Sequence, residues 1–369
     1  MRSVIHLITL DEISGRATFS GAESHLFILL PALAAAGWRV ELALLVRNDG
    51  PAIAAKTREL QAAGIAVTAF RYRRFPDPAC LAALTGHLRA RRDWIVHTHL
   101  DDADGMGKLA ARLAGGRIVI ATVHNDEPGH LRLKWRLLLT FLDRLTTHYI
   151  AISEAVRRHL VERERVLAEK VTVVPYGVPE PARVEARAEL RARLGLPADR
   201  RIVGFVGRLT AQKNLGVLLA AMAQLPEMVC VLIGGGELRG ALEQQAAGLD
   251  NVRFLGYRPE AAALMPAFDV FCLPSRWEGL GLVLVEAMLR RVPIVGSRAG
   301  AIPEVLGQGR YGLLFEPDDV AGLVNALRAA PEAGQALIEP AWEHARSTYT
   351  VAGMVRQTLA VYARWETRA

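Results

Sequence analysis

Cysteine is scarce: Cys80, Cys230 and Cys272 stand far apart in 369 residues. That spacing offers neither a disulfide framework nor a thiolate metal site. Two of the three fall in apolar, strand-like runs and read as buried thiols of a reducing compartment. Long hydrophobic runs are missing too. The longest, LFILLPALAAAGW (26–38), is shorter than the roughly 20 residues that a bilayer span needs. The apolar start of MRSVIHLITLDE is cut short by Asp11 and Glu12, which argues against a signal peptide. Low-complexity tracts and fine repeats are absent. A composition 51% hydrophobic and 22% charged is that of a folded chain. A cytoplasmic protein is expected.

Charge is present but unevenly placed. Of the net +7, residues 1–177 hold 24 lysines and arginines against 18 acids, and the remainder 21 against 20. A basic half and a nearly neutral half suggest two tasks, the basic one facing something anionic. The length favours two domains. Strand-like runs at 3–10, 39–46, 66–70, 95–100, 118–124, 148–153 and 171–177 alternate with helix-length segments such as 21–36, 104–114 and 153–168. A proline-rich, charged stretch with one surface helix follows, and the alternation restarts at 201–207, 229–236, 252–257, 270–275, 293–298 and 311–316. Continuous apolar strands between helices predict parallel sheets covered on both faces. The expected fold is α/β: two doubly wound, Rossmann-like domains facing each other across a cleft, with ligands at the carboxyl ends of the strands. The domains are placed at 1–178 and 179–349, with a C-terminal helix in 350–369 packing back toward the first.

Several motifs fail on inspection. Asp102 and Asp104 have a metal-binding spacing, but they read better as a cap on a helix beginning near Gly105. GMGK (105–108) lacks the first glycine of a phosphate loop. The histidines of VHTH (96–99) are read as lying on opposite faces of a strand, one inward and one near its end, so no shared ion is expected.

Two stretches carry more. In GRLTAQKN (207–214), Arg208 follows a strand and Lys213 opens the next helix, so two cations are expected where a diphosphate would lie. EGLGLVLVE (278–286) holds two glutamates. Gly279 and Gly281 disfavour one continuous helix, so EGLG is a loop and a helix begins near Leu282. Its free amides offer an anion site, and Glu286, one turn further along, can accept hydrogen bonds from a ribose. Glu278 would face what lies beyond the phosphates. SGAESHL (20–26) opens a helix after the first strand and offers a similar terminus at Gly21.

Together with TVH (122–124), VPYGV (174–178) and GGGELR, these motifs resemble the retaining glycosyltransferases of GT-B fold, the group 1 family whose paired glutamates have seven residues between them. The resemblance covers nearly the whole length. It implies that the first domain takes the acceptor and the second the nucleotide sugar. It implies further that Gly21 approaches the distal phosphate, that Arg208 and Lys213 hold the diphosphate, and that the Gly281–Leu282 amides add helix-end stabilisation. Glu286 would bind ribose, Glu278 with the Gly279–Leu280 backbone the donor sugar, and the backbone at Arg258 the base. His124 would lie beside the transferred sugar.

The activity implied is transfer of a hexose from a UDP- or GDP-sugar, UDP being favoured, to a lipid-linked or saccharide acceptor in bacterial envelope synthesis. No metal and no other cofactor are expected, because protein cations can offset the leaving-group charge. GHLRLKWRLLLTFLDRL (129–145), RYRR (71–74) and RARR (89–92) suggest docking on an anionic membrane from the cytoplasmic side. No nucleic-acid motif is present. A glycosidase would leave Arg208, Lys213 and the helix ends unexplained; an epimerase or a non-catalytic sugar-nucleotide binder remains as the alternative.

Overall fold

The computed structural model describes residues 2–11, 21–116, 118–125 and 141–366. DEISGRATF beyond Asp11, and most of the 129–145 segment, lie outside the described residues. Contacts divide the chain into two units, one reaching Gly177 and resuming at Val351, the other spanning Val178–Thr350.

In the first unit seven strands form one sheet: β1 (Ser3–Leu10), β2 (Arg39–Val46), β3 (Ala66–Arg71), β4 (Ile95–His99), β5 (Val119–Val123), β6 (His148–Ala151) and β7 (Val171–Val173). Their order is β3-β2-β1-β4-β5-β6-β7, and every pairing is parallel. Strand alternation divides β1 between two cores. Val4 and Ile8 pack with the Gly21–Ala35 and Val351–Glu366 helices, whereas Ile5 and Leu7 pack with Leu84 and Met106 beneath the other face. The C-terminal helix is thus part of this unit's core, through Met354, Val361 and Tyr362.

The second unit repeats the plan with β8 (Arg201–Val206), β9 (Met228–Ile233), β10 (Val252–Gly256), β11 (Val270–Leu273), β12 (Ile294–Ser297) and β13 (Leu313–Phe315), in the order β10-β9-β8-β11-β12-β13. All its pairings are parallel as well. Two doubly wound parallel sheets are therefore the architecture. In each, the order reverses beside one central strand, and loops leaving the carboxyl ends there are where such folds place ligands.

Local differences from the sequence expectation have local causes. The run 171–177 pairs only through Val173, since Pro175 supplies no amide to a ladder. The 153–168 segment is an α-helix over Glu154–Arg158 that widens to a π-turn over His159–Arg163. The helix expected near Gly105 begins earlier, at Asp101, after Leu100 at φ 64°, and no side chain caps it. Asp102 and Asp104 lie inside its first turn and are not its cap.

Candidate active site

The second unit's reversal point brings two separated motifs together. β8 and β11 are adjacent, so the 207–214 and 274–281 loops leave neighbouring strand ends. The first loop is fastened by backbone. Gly207 N–H donates to Ile233 O (3.0 Å), Leu209 N–H to Gly235 O (2.8 Å), and Leu238 N–H to Leu209 O (3.1 Å). This approach requires glycine. A Cβ on Gly234 (φ 150°) would stand 1.8 Å from Gly207 O, and one on Gly236 (φ 159°) 2.4 Å from Leu209 O.

Arg208 is exposed, and its guanidinium reaches only Gln212 Oε1, at 3.5 Å, among the described residues. Lys213 stands in a short 3-10 turn, Ala211–Lys213. The α-helix starts at Leu215, after Asn214 takes a left-handed conformation (φ 51°), so Lys213 precedes the helix it was expected to open. Its ammonium is nearly buried and lies 2.5 Å from Glu278 Oε2, which also accepts from Ser275 Oγ at 3.1 Å. Gln212 joins the two loops again: its amide donates to Trp277 O (3.0 Å) and its carbonyl accepts from Arg276 N–H (2.8 Å). Ser275, Gln212 and the Lys213–Glu278 pair were not legible in sequence, because each depends on β8 and β11 being neighbours.

Gly281 (φ 81°, ψ 60°) precedes the helix Leu282–Leu289 and leaves its first turn without a side-chain cap. Orphan amides and the positive end of the helix dipole remain there for an anion. Leu280 is buried and Leu282 half-buried, so both can serve only through backbone. Glu286 lies one turn up, half-buried, and its carboxylate accepts no hydrogen bond among the described residues. Burial pushes its pKa up to about 6, opposed by the nearby Arg290 guanidinium. Arg258 is exposed, and its carbonyl accepts from Ala261 N–H at 3.1 Å. No described side-chain contact joins it to the loops above.

In the first unit, Gly21 is the exposed first residue of the Gly21–Ala35 helix. His124 follows β5. One ring nitrogen is 3.0 Å from His99 Nδ1 and the other bonds the Tyr176 hydroxyl, so both are engaged. Part of His124 reaches the surface, while burial of the ring pushes its pKa down to about 3, so the imidazole is neutral at ordinary pH. His25 stacks on Tyr176, ring centroids 4.0 Å apart.

The histidines of VHTH need a correction. His97 and His99 are two residues apart, one full strand period, so they share a face and their rings stack at 4.3 Å. His6, in register with His97 across β1 and β4, joins them. One nitrogen from each of the three lies within 4.8 Å of the others. The Asp102 and Asp104 carboxylates, by contrast, are already claimed by separate partners. Asp102 accepts from Arg47 and from the Tyr72 hydroxyl (2.9 Å); Asp104 accepts from Thr98 Oγ1 (2.5 Å) and pairs with Lys108 Nζ (2.6 Å).

With this geometry in view, similarity to known proteins is informative. The family model for glycosyl transferases group 1 matches residues 200–331, and that for glycosyltransferase family 4 matches residues 19–180. The UDP-Gal:alpha-D-GlcNAc-diphosphoundecaprenol alpha-1,3-galactosyltransferase of Escherichia coli is 30% identical over 270 residues, 68% of this chain and 70% of that protein. The alpha-maltose-1-phosphate synthase of Mycolicibacterium smegmatis is 30% identical over 338 residues, 78% of this chain and 86% of its own length. Among solved structures, Anabaena HepE in complex with UDP-glucose superposes with a TM-score of 0.83 at 24% identity, covering 99% of this chain and all of that one, which shows the shared fold. The chain belongs to the group 1 glycosyl transferases and is a hexosyltransferase.

Proposed function

We propose that this glycosyltransferase moves a hexose from a UDP-sugar, with retention at the anomeric carbon, to a lipid-linked or saccharide acceptor of the bacterial envelope. The observation that carries the donor site is Glu286: a half-buried carboxylate without a hydrogen-bond donor, one turn above an uncapped helix end. Burying such a group unpaired is costly, and a ribose diol at that place would supply the missing donors. The diphosphate then lies over the Gly281–Leu282 amides and beside Arg208, which has no acidic partner among the described residues. Lys213 adds its ammonium from the neighbouring loop. Departure of the nucleoside diphosphate concentrates negative charge at these fixed donors, which is the main source of rate in such a site.

Glu278 has two tasks in this reading. It fixes the Lys213 ammonium at 2.5 Å, and with the Gly279–Leu280 backbone it holds hydroxyls of the donor sugar. The backbone at Arg258 is assigned to the base, Gly21 to the distal phosphate, and His124 to the transferred sugar. Retention follows if the acceptor attacks from the face the phosphate leaves, a phosphate oxygen taking the acceptor proton. The charge is supplied by protein cations and helix ends, so no divalent metal is needed. UDP is preferred over GDP because the Escherichia coli relative is named for UDP-Gal and HepE holds UDP-glucose. That same relative's diphosphoundecaprenol acceptor supports a lipid-linked one here. Family membership leaves the epimerase and the non-catalytic binder without support.

Calorimetric titration with UDP and GDP, followed by incubation with the corresponding sugars, tests the proposal. UDP should bind more tightly, and slow UDP-sugar hydrolysis should persist in EDTA. Tighter GDP binding overturns the donor choice. Loss of turnover on chelation, repeated in Asp102→Ala, overturns metal independence.

A further inference from the structure

His6 on β1, His97 and His99 on β4, and Thr122 and His124 at the end of β5 all occupy one face of the first sheet. It is the face that also packs Val4, Ile95, Ile120 and the C-terminal helix. Contacts run through them without a gap. The Tyr176 hydroxyl bonds His124; His124 is 3.0 Å from His99; His99 is 2.9 Å from His6. His6 Nε2 is 3.3 Å from the Tyr362 hydroxyl, which is 2.6 Å from His97 Nδ1, and His97 Nε2 is 2.7 Å from Thr122 Oγ1. Every imidazole nitrogen in the line has one partner. With neutral rings, each imidazole brings one exchangeable hydrogen and each hydroxyl one. Seven side chains therefore bring seven hydrogens to six contacts. One hydrogen is left over, and it must stand at an end.

That count permits two uniform arrangements, and an interior ring cannot turn its tautomer without its neighbours turning theirs. We propose that this line sets the tautomer of His124 from its far end, Thr122, through Tyr362 of the C-terminal helix. The distances choose the direction. The Tyr362 hydroxyl hydrogen belongs on the 2.6 Å contact to His97, leaving the 3.3 Å contact to a weak N–H donated by His6. Followed outward, this makes all four rings Nε2–H. Tyr176 donates to His124 Nδ1, and Thr122 accepts and keeps the surplus hydrogen. His6, His97 and His99 could also be taken for a chelate. An ion there would have to displace hydrogens from contacts that already satisfy every nitrogen.

The consequence for catalysis rests on the proposed place of His124 beside the transferred sugar; the tautomer prediction does not. Long-range proton–nitrogen spectra of the full chain, labelled with 15N-histidine, report which nitrogen carries hydrogen. Four Nε2–H rings are expected in the unsubstituted protein. Thr122→Val keeps the shape and removes the last acceptor. His97 Nε2–H would then point at a methyl; the reversed arrangement turns only a lone pair toward that methyl and leaves the surplus hydrogen on the rotatable Tyr176 hydroxyl, so all four rings should become Nδ1–H. Tyr362→Phe cuts the line in the middle. His6, His99 and His124 should then switch, while His97 remains Nε2–H. Mixed tautomers in the unsubstituted protein, or a His124 indifferent to both substitutions, overturn the inference. Stoichiometric zinc in the purified protein that is lost in His6→Gln would also overturn it, in favour of a chelate. If His124 switches while kcat and KM stay unchanged, the line stands and His124 leaves the transfer site.

Discussion

At the scale of single residues, the proposed donor site rests on two carboxylates with opposite circumstances. Glu278 is paired with Lys213 at 2.5 Å, both nearly buried. Lys213→Ala would leave that carboxylate buried without its cation, which typically costs about 3–5 kcal/mol. It would also remove the proposed charge-assisted contact to the diphosphate, worth about 1.5–3 kcal/mol. A lower melting temperature together with at least a tenfold loss in kcat/KM is expected, and unaltered kinetics would refute the diphosphate assignment. Glu286 is unpaired, and burial holds its pKa near 6, above the ordinary 4.5. The folded state therefore keeps the proton that the unfolded chain releases between pH 4.5 and 6. Its contribution to stability, on the order of 2 kcal/mol, is full below pH 4.5 and lost as pH rises through 6. Denaturant unfolding from pH 4 to 7 should show that fall in the unsubstituted protein and a flatter profile in Glu286→Gln. Donor binding should strengthen over the same window, because the ionised carboxylate accepts hydroxyl hydrogens on both oxygens.

At the scale of elements, thirteen strand runs read from apolar periodicity correspond to the thirteen strands of the described residues, with ends shifted by a few positions. The helix expected near Leu282 starts there because Gly281 adopts a conformation that side chains resist. The loops are less legible. Lys213 was expected to open a helix and stands before one, since the left-handed Asn214 separates the 3-10 turn from the α-helix. What orders these loops is backbone contact between the turns after β8 and β9. Gly234→Ala would force a Cβ into Gly207 O and displace the turn that carries Arg208. The expected result is a protein that still shows native secondary structure by circular dichroism, melts at lower temperature and binds UDP at least tenfold more weakly. Unchanged UDP affinity would detach Arg208 from the site.

At the scale of the whole molecule, no helix among the described residues is long and apolar enough to cross a membrane. Membrane docking, expected from the basic first half, can draw on surface charge. Some of that charge is committed within the fold: Arg71 pairs with Asp49 at 2.6 Å and Arg91 with Glu41 at 2.5 Å. Arg73, Arg74, Arg89 and Arg92 are exposed and remain for an anionic surface. At about 1 kcal/mol each, they support weak, reversible binding. Co-sedimentation with anionic vesicles at low salt, lost at high salt and absent with neutral vesicles, is the expected result. Failure to bind anionic vesicles at low salt, with good turnover on a soluble acceptor, would remove the membrane from the proposal.

The sequence alone determined the strands, the two-unit plan and the residue types of the proposed donor site. Those features are written in local periodicity, in glycines at forced conformations and in motifs a few residues long. The tertiary structure decided which of these residues meet. Lys213 meets Glu278 across 64 intervening residues because β8 and β11 pair, and His6 meets Tyr362 because the last helix packs on the first strand's face. Neither pairing has a local signal, since the order of strands in a sheet is set by how whole elements bury their apolar faces. The line of histidines shows both parts. Residue parity along each strand put its members on one face, and packing of the C-terminal helix supplied the hydroxyl that joins them.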